Sequence, residues 1–409
     1  MPAESHMPDF TMAESPPIQA RGIGPYVLRK LLSRLERGRL TVVFPSGARL
    51  DHRSATPGPE ATLVLNSWRP LHRLLKRGGV GFGEAYMAGE WTTPDLSALL
   101  TLLAENVARL EATMAGLLPV RLGRRVGHML RANSRRGARK NITFHYDLGN
   151  EFYRLWLDRT LTYSSALYAR PDMTLEEAQQ AKLDRVAELL ELDRADLKLL
   201  EIGCGWGALA VRLAHAGAHV TGLTLSTEQK TRAQALAAEE KLSERIEIRL
   251  EDYRDVEGTF DRLVSIEMLE AVGEQYWPVY FSTLKQRLAP GGIAVLQAIT
   301  IDEARFEAYR ADPDFIQHYI FPGGMLPTKE HMGRLAREAG LRLETVEPFG
   351  QSYAETLAEW RHRLDASWPV IEKLGFDQTF HRMWDYYLAY CEAGFRAGVI
   401  DVAFYKLSA

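Results

Sequence analysis

The chain has 409 residues, of which 46% are hydrophobic and 25% are charged, and its formal net charge is −3 at pH 7. These values are typical of a soluble globular protein of two or three domains, and they exclude collagenous, disordered and disulfide-stapled chains. Two cysteines, Cys204 and Cys391, are too few for a disulfide framework or a cysteine zinc site, so we expect a reducing, cytoplasmic setting and no bound metal.

Residues 1–22 are rich in Pro, Ser and Glu and have no apolar signal core, which predicts a disordered leader. The chain has no uncharged apolar run long enough to span a bilayer, so any membrane association is expected to be peripheral, at the inner face of the membrane. Residues 23–118 predict a small mixed α/β domain. Its predicted elements are a basic amphipathic helix from residue 23, strands at 40–44 and 62–65, a glycine loop at 78–83 and a helix at 96–115.

Basic residues are concentrated in two places. Residues 119–140 contain eight Lys and Arg and no acidic residue, which predicts a basic linker, and the first helix interleaves Arg and Lys with leucines. Solvated helix faces explain this pattern, and so does attraction to an anionic lipid surface. Nucleic acid is disfavoured by the acidic net charge and the lack of a reading motif. We predict that residues 23–118 dock on an anionic membrane and deliver lipid.

Strands alternate with helices from residue 141 to residue 409. This alternation predicts a doubly wound, Rossmann-like α/β domain with a parallel sheet covered by helices on both faces. The predicted strands are at 197–202, 219–225, 246–250, 261–266, 292–299, 341–346 and 402–407. The predicted helices are at 175–192, 208–214, 228–241 and 276–288.

A glycine-rich turn follows the first strand of this domain. Its residues are Glu201, Ile202, Gly203, Cys204, Gly205, Trp206 and Gly207. Glycines here let the backbone approach a ligand, and the next helix offers free N–H groups. The third glycine comes one residue too early for a dinucleotide fingerprint, and the second strand ends without a carboxylate. The carboxylate of Glu201 suits an ammonium group, so we predict that the turn binds S-adenosylmethionine.

Several motifs, in order along the chain, make it resemble the cyclopropane-fatty-acyl-phospholipid synthases and the related mycolic acid methyltransferases. The motifs are at 145–150, 163–164, 201–207, 222–229, 251–255, 265–270, 319–324, 349–353 and 386–391. The resemblance implies a class I S-adenosylmethionine methyltransferase domain behind a smaller N-terminal domain. It also implies an unsaturated phospholipid as substrate and a homodimer.

The resemblance implies which residues line the cofactor pocket. They are Tyr163, Ser164, Gly203, Gly205, Thr224, Ser226, Gln229, Tyr253 and Arg254. Hydroxyl and amide groups can hydrogen-bond the ribose, Asp252 can accept from the adenine amino group, and Tyr253 can cover the ring. An aromatic face such as that of Tyr163 attracts a sulfonium. Ordinary core packing is the alternative for each of these residues.

In the family this chain resembles, the methyl acceptor is the cis double bond of an acyl chain, and a bound bicarbonate removes a proton from the resulting carbocation. The resemblance implies that the bicarbonate is held at five positions, which in this sequence read Ser165, Glu270, Gln297, Ile299 and Tyr353. The family has cysteine and histidine where this chain has Ser165 and Gln297. Because Gln297 cannot relay a proton, the site is expected either to keep an anion or to have a rebuilt deprotonation step.

Several further assignments stay open at this stage. Cys391 matches a family cysteine of no necessary role, His145 contacts either a helix start or the acceptor, and Glu267 and Glu270 are expected on one side of a turn. The product is a cyclopropane or a methyl-branched or methylene acyl chain. The competing functions are a small-molecule O- or N-methyltransferase on the same fold and a lipid-binding protein without catalysis.

Overall fold

The computed structural model describes residues 23–115 and 148–409, which form a small N-terminal domain and a larger domain on a seven-stranded sheet. The predicted leader, the basic linker at 119–140 and His145 lie outside the described residues. The domain boundaries predicted at 118 and 141 lie outside them too and stay predictions. Within the described ranges, no helix is both long and apolar enough to cross a bilayer.

A four-stranded sheet, in the order β2-β1-β3-β4, organises the N-terminal domain. Its strands are β1 (Arg37–Val43), β2 (Arg49–Arg53), β3 (Thr56–Leu65) and β4 (Trp91–Thr92). Its helices are α1 (Ile23–Leu32), α2 (Arg69–Met87), α3 (Leu96–Glu105) and α4 (Val107–Ala115). Helix α1 is amphipathic as predicted: Lys30 is exposed, whereas Val27 and Leu31 are buried. The apolar face of α1 therefore points into the interior of its own domain.

The predicted loop at 78–83 is wrong, because these residues lie inside helix α2. The helix kinks at Gly78, whose φ of 59° lies in the left-handed region that glycine adopts without strain. Gly81 is required by a close approach, since a Cβ there would lie 2.3 Å from the carbonyl oxygen of Arg73. The predicted helix at 96–115 is also interrupted, at Asn106, whose Oδ1 accepts hydrogen bonds from the backbone N–H groups of Glu36 (2.7 Å) and Arg37 (3.2 Å).

Helix α2 packs closely against the larger domain at Gly83. A Cβ at this position would lie 2.6 Å from the ring of Phe315 and 2.9 Å from the ring of Tyr386. We expect Gly83→Val to lower the free energy of unfolding by about 1–3 kcal/mol, the usual cost of overpacking. Thermal unfolding measures the effect, with Gly79→Ala as control, because a Cβ at Gly79 would meet no heavy atom within 4 Å. Equal melting temperatures for Gly83→Val and wild type would contradict this packing.

The larger domain is the predicted α/β fold. Strands β5 (Lys198–Ile202), β6 (His219–Thr224), β7 (Ile246–Leu250), β8 (Phe260–Ile266), β9 (Leu288–Ile301), β10 (Arg342–Pro348) and β11 (Ile400–Ser408) form its sheet. The order is β10-β11-β9-β8-β5-β6-β7, with neighbouring strands from β9 to β7 parallel and the β9–β11 and β11–β10 pairs antiparallel. Because β5 is the middle one of the five parallel strands, the glycine turn that follows it lies where the strand connections diverge, the usual ligand position in such sheets.

The helices of the larger domain cover both faces of its sheet. They are α5 (Asn150–Arg154), α6 (Leu175–Leu189), α7 (Ala208–His215), α8 (Thr227–Glu239), α9 (Leu269–Val272), α10 (Trp277–Arg287), α11 (Glu303–Ala311), α12 (Phe315–Tyr319), α13 (Lys329–Glu338), α14 (Gly350–Ile371) and α15 (Gln378–Arg396). The helices after residue 288 were not predicted.

Candidate active site

A cavity of about 1390 Å³ extends from the glycine turn of the larger domain into the N-terminal domain. Its walls include residues of α1, β1 and α3 on one side and of β5, α9 and α15 on the other. One small-molecule site usually occupies roughly 300–1000 Å³. The cavity is therefore large enough for two ligands at once.

The glycine turn presents bare backbone to this cavity. Gly203, Gly205 and Gly207 all have positive φ, of 83°, 51° and 92°. A Cβ at Gly205 would meet no heavy atom within 4 Å, whereas a Cβ at Gly203 would lie 2.5 Å from the sulfur of Met268 and one at Gly207 would lie 2.9 Å from Ala233. Gly205 thus leaves open space for a ligand, and the other two glycines permit close packing.

Glu201 lies at the end of β5 with its carboxyl group buried. Its Oε2 is buried and has no hydrogen-bond partner among the described residues. Burial raises the pKa of Glu201 to about 8, and the positive charge of Lys182 limits the rise. Lys182 is itself 1% exposed, and burial lowers its pKa to about 8. A buried carboxyl oxygen that still lacks a donor fits the ammonium group of S-adenosylmethionine.

Lys182 is a cavity residue that the sequence analysis missed. Its Nζ donates a hydrogen bond of 2.8 Å to Oγ of Ser164, another residue that lines the cavity. The signal was present in the sequence, because Lys182 is four residues from both Ala178 and Val186 on the apolar stripe of α6. A lysine on an apolar stripe is a candidate functional residue.

Most residues that were predicted to bind the cofactor line the cavity. They are Tyr163, Ser164, Glu201, Gly203, Gly205, Trp206, Thr224, Gln229 and Tyr253. Gly207 and Ser226 do not line it: Ser226 caps α8 by accepting from the N–H of Gln229 at 3.3 Å. Their predicted contacts with the cofactor stay predictions.

Asp252 and Arg254 are paired with each other at the edge of the site. Arg254 donates from Nε and Nη2 to the two carboxylate oxygens of Asp252, at 2.8 and 2.6 Å. The guanidinium of Arg254 also lies 5.5 Å from the centre of the Tyr253 ring, which itself lines the cavity. The ion pair therefore places the guanidinium of Arg254 against the ring of Tyr253. Glu251, which lines the cavity, was not predicted as a site residue.

Aromatic side chains surround the part of the cavity next to the turn. The hydroxyl groups of Tyr163 and Tyr387 are 2.9 Å apart, and the ring of Tyr163 lies 5.4 Å from that of Trp360. Burial raises the pKa of Tyr387 well above the usual value, so its hydroxyl group stays protonated. This wall offers π faces to a cation and excludes water.

Glu267 accepts hydrogen bonds from three of the five residues that were predicted to hold bicarbonate. Its Oε1 accepts from the backbone N–H of Ser165 (2.9 Å) and from Nε2 of Gln297 (2.7 Å), and its Oε2 accepts from the hydroxyl of Tyr353 (2.7 Å). Ser165 and Gln297 do not line the cavity, whereas Glu267 and Tyr353 do. The spacing of Glu267 and Glu270 predicted that they lie on one side of a turn, but the three donors to Glu267 were not predicted, because they come from distant parts of the chain.

Glu270 has a different environment from Glu267, although both face the cavity. One carboxyl oxygen accepts from the backbone N–H of Ile299 at 2.5 Å, and the other is buried without a partner among the described residues. Burial, reinforced by the charge of Glu267, raises the pKa of Glu270 to about 8. Glu270 is therefore mainly protonated at neutral pH. Two neighbouring carboxyl groups with such different hydrogen bonding are typical of an acid–base pair.

Cys391 also lines the cavity. Burial raises the pKa of its thiol, and nearby carboxylates raise it further, so it remains a neutral thiol near pH 7. A neutral thiol is a poor nucleophile. Cys391 therefore contributes shape and apolar surface to the cavity wall.

The far part of the cavity is apolar and belongs to the N-terminal domain. Its lining residues there include Leu28, Leu31, Leu32, Leu35, Leu40, Val42, Leu63, Phe82, Leu99, Leu100, Leu103 and Ala104. The buried face of α1 is thus one wall of this region. Such a lining favours a long aliphatic ligand over a polar one.

Comparison with known proteins identifies relatives that act on lipids. Residues 133–405 match the sequence model of the family described as mycolic acid cyclopropane synthetase. The chain is 43% identical to the tuberculostearic acid methyltransferase UfaA1 of Mycobacterium tuberculosis over 372 residues, which is 89% of this chain and 86% of that protein. It is 35% identical to the cyclopropane-fatty-acyl-phospholipid synthase of Escherichia coli over 331 residues, 81% of this chain and 83% of the relative.

A solved structure is also similar. The mycolic acid cyclopropane synthase CmaA1, complexed with SAH and CTAB, superposes with a TM-score of 0.62 at 32% identity, covering 66% of this chain and 98% of that chain. The similarity confirms the predicted class I methyltransferase fold, and the occupant of that structure agrees with S-adenosylmethionine as the cofactor.

Proposed function

This chain belongs to the mycolic acid cyclopropane synthetase family, whose members are S-adenosylmethionine-dependent methyltransferases, and we propose that it methylates the cis double bond of a phospholipid acyl chain. The single observation that supports this substrate is the continuous cavity, which is polar and carboxylate-bearing at the glycine turn and mainly apolar from there into the N-terminal domain. An aliphatic chain fits the apolar part, and its double bond would then reach the turn.

The chemistry needs little from the protein beyond positioning and shielding. When bound, S-adenosylmethionine supplies the methyl group and the leaving group. Glu201 holds the cofactor's ammonium, and the bare backbone at Gly205 leaves room for it. Tyr163 and Tyr387 exclude water and offer π faces to the carbocation. The apolar residues of α1 and α3 keep the acyl chain extended.

The product depends on which proton the carbocation loses. Loss from the new methyl group closes a cyclopropane, whereas loss from a neighbouring chain carbon leaves a methyl-branched alkene. If a hydride first shifts from the methyl-bearing carbon to the cation, loss from the methyl group gives a methylene instead. We propose a methyl-branched or methylene acyl product. Support comes from the higher identity to a tuberculostearic acid methyltransferase (43%) than to a cyclopropane synthase (35%), and from Gln297 at a position where histidine would relay a proton.

Product analysis tests this function. The protein is expressed in a bacterium that lacks its own cyclopropane synthase, and the fatty acid methyl esters are profiled by mass spectrometry. We expect a new acid one CH₂ heavier than the monounsaturated precursor, which hydrogenation converts to a saturated branched acid. A new acid that resists mild hydrogenation would be a cyclopropane and would overturn the branched product. A soluble amine or phenol methylated in place of any lipid would favour the small-molecule methyltransferase.

We also propose that the N-terminal domain docks on an anionic membrane, where the substrate lies. Tyr26 is 65% exposed and Trp68 is 40% exposed, and the ring of Trp68 packs over Gly24, two residues before Tyr26 on α1. Amphipathic aromatic side chains of this kind are favoured at the lipid headgroup level. The exposed basic side chains of Lys30 and Arg34 follow on α1 and the turn after it.

Vesicle binding tests the docking proposal. Each basic residue near an anionic surface contributes about 1 kcal/mol, so Lys30→Glu combined with Arg34→Glu is expected to weaken binding to phosphatidylglycerol-containing vesicles by about 10-fold or more. Neutral phosphatidylcholine vesicles are the control, and added salt should reduce binding of the wild type. Binding that ignores salt, lipid charge and both substitutions would contradict the proposal.

A further inference from the structure

The five positions at which related enzymes are expected to hold bicarbonate enclose a carboxylate of the protein itself. Three donors converge on Glu267: the backbone N–H of Ser165, the amide of Gln297 and the hydroxyl of Tyr353, all at 2.7–2.9 Å. A bicarbonate ion would need the same donors. The residues present therefore do not fit a bound bicarbonate while Glu267 occupies their centre.

We propose that the carboxylate of Glu267 takes the place of bicarbonate as the general base of this enzyme. The inference deepens the proposed function, since it names the group that completes that reaction. After the double bond has taken the methyl group, Glu267 accepts a proton from a carbon next to the cation. The electron pair of that C–H bond becomes the π bond of the alkene product, and the resulting carboxylic acid later loses its proton to solvent.

Hydrogen bonding identifies Glu267, and not Glu270, as the base. Glu267 accepts three hydrogen bonds, and each of them favours the ionised form over the protonated one. Glu270 accepts one, from Ile299, and keeps an unpartnered buried oxygen. Burial raises the pKa of both carboxyl groups, but the donors around Glu267 oppose the rise there. The pair thus carries its negative charge on Glu267 and its proton on Glu270.

The arrangement also explains the two positions that differ from the family pattern. Ser165 uses its backbone N–H, while its hydroxyl donates to the carbonyl of Ala166 at 2.9 Å, so a thiol is not needed there. The side-chain amide of Gln297 donates to the carboxylate at any pH near neutrality. A neutral histidine has only one N–H donor, and which ring nitrogen carries it depends on the tautomer. Both residues are positioning residues that act through Glu267.

The backbone of Glu267 is held in an unusual conformation. Its φ is 51°, in the left-handed region that non-glycine residues rarely adopt, at the end of β8 and before α9. Such conformations persist where surrounding structure enforces them, and they concentrate at functional sites. Glycine adopts this φ without strain, so Glu267→Gly removes the carboxylate without stressing the backbone.

Bicarbonate dependence tests the inference. Purified full-length wild type is expected to turn over equally in CO₂-depleted buffer and with added bicarbonate. Glu267→Gly is expected to lose about 10²–10⁴-fold in turnover, the usual contribution of a general base, and to recover part of it when bicarbonate enters the vacated position. S-adenosylmethionine affinity should not change. Wild-type turnover that falls without CO₂ would overturn the inference, as would a Glu267→Gly enzyme that works at full rate without it.

A binding measurement separates this inference from the proposed function. With ¹³C-bicarbonate as the NMR probe, wild type should show no binding and Glu267→Gly should broaden the signal, whatever the substrate is. Binding to the wild type that matches the variant would overturn the inference even if lipid methylation is confirmed. Absence of any methylated lipid, with binding as expected, would overturn the proposed function alone. Glu267→Gln provides a second variant that keeps the side-chain volume, and it too should lose turnover.

The positioning role of Gln297 has its own signature. Its hydrogen bond lowers the pKa of Glu267, so Gln297→Leu should move the acidic limb of the turnover–pH profile to higher pH. Gln297→His should return the limb toward its wild-type position by restoring a donor. A lower but unshifted profile for Gln297→Leu would contradict this role.

Discussion

Replacing Glu201 with Gln is expected to weaken S-adenosylmethionine binding by about 10- to 100-fold, because a hydrogen bond to a charged group contributes about 1.5–3 kcal/mol. The carboxyl oxygen that lacks a donor is the one available for the ammonium group of the cofactor. Isothermal titration calorimetry measures the loss. The exposed Glu257 provides the control, since Glu257→Gln should bind as wild type does. Unchanged affinity in Glu201→Gln would remove Glu201 from the cofactor site.

The same carboxyl group sets the pH dependence of binding. With a pKa of about 8, Glu201 is mainly protonated at pH 6–7, and it must lose that proton to pair with an ammonium group. The buried Lys182, with its pKa lowered to about 8, loses positive charge over the same range. Both changes favour a cation as pH rises, so wild-type affinity should increase from about pH 6 through about pH 8, where both groups change charge. The increase should be smaller in Glu201→Gln, where only Lys182 contributes.

Filling the apolar part of the cavity is expected to stop lipid turnover while sparing the cofactor. Ala104 lines the cavity from α3. Ala104→Trp should lower the rate on long acyl chains by about 10²-fold, since small displacements of a reacting group have effects of that size. S-adenosylmethionine affinity should be unchanged, because the glycine turn belongs to the other domain.

A matched variant on the same helix controls for the added bulk. Ala98 lies on α3 but lines a separate groove of the protein, away from the large cavity. Ala98→Trp should therefore keep lipid turnover near the wild-type rate. If both variants lose turnover equally, or if neither does, the apolar cavity is not the acyl-chain site.

Local signals in the sequence were sufficient for the parallel sheet and the glycine turn. The strand at 246–250 was predicted to the residue, because its buried isoleucines alternate with polar residues, which is the period of a half-buried strand. The prediction of a glycine loop at 78–83 was wrong because of tertiary packing. Gly81 and Gly83 are needed because neighbouring groups approach the helix closely, and a sequence pattern does not distinguish that need from the flexibility of a loop.

The hydrogen-bond cluster around Glu267 could be predicted only in part. A resemblance to known enzymes pointed to Ser165, Gln297 and Tyr353, but it placed an external ion between them. Their convergence on Glu267 joins residues that are up to 188 positions apart in sequence (353 − 165) and is set by the register of β8 with β9 and by helix α14. Long-range geometry of this kind is absent from single-sequence patterns.

The measurement that tests the central claim most directly uses S-adenosylmethionine with a fully deuterated methyl group. The purified enzyme is incubated with phospholipid vesicles that contain cis-monounsaturated chains, and the released fatty acids are analysed by mass spectrometry. We predict that a deuterated one-carbon group is attached to a carbon of the former double bond, and that the cofactor is consumed in proportion to this product. Consumption of the cofactor on a soluble amine or phenol, with no deuterium in any acyl chain, would contradict the claim.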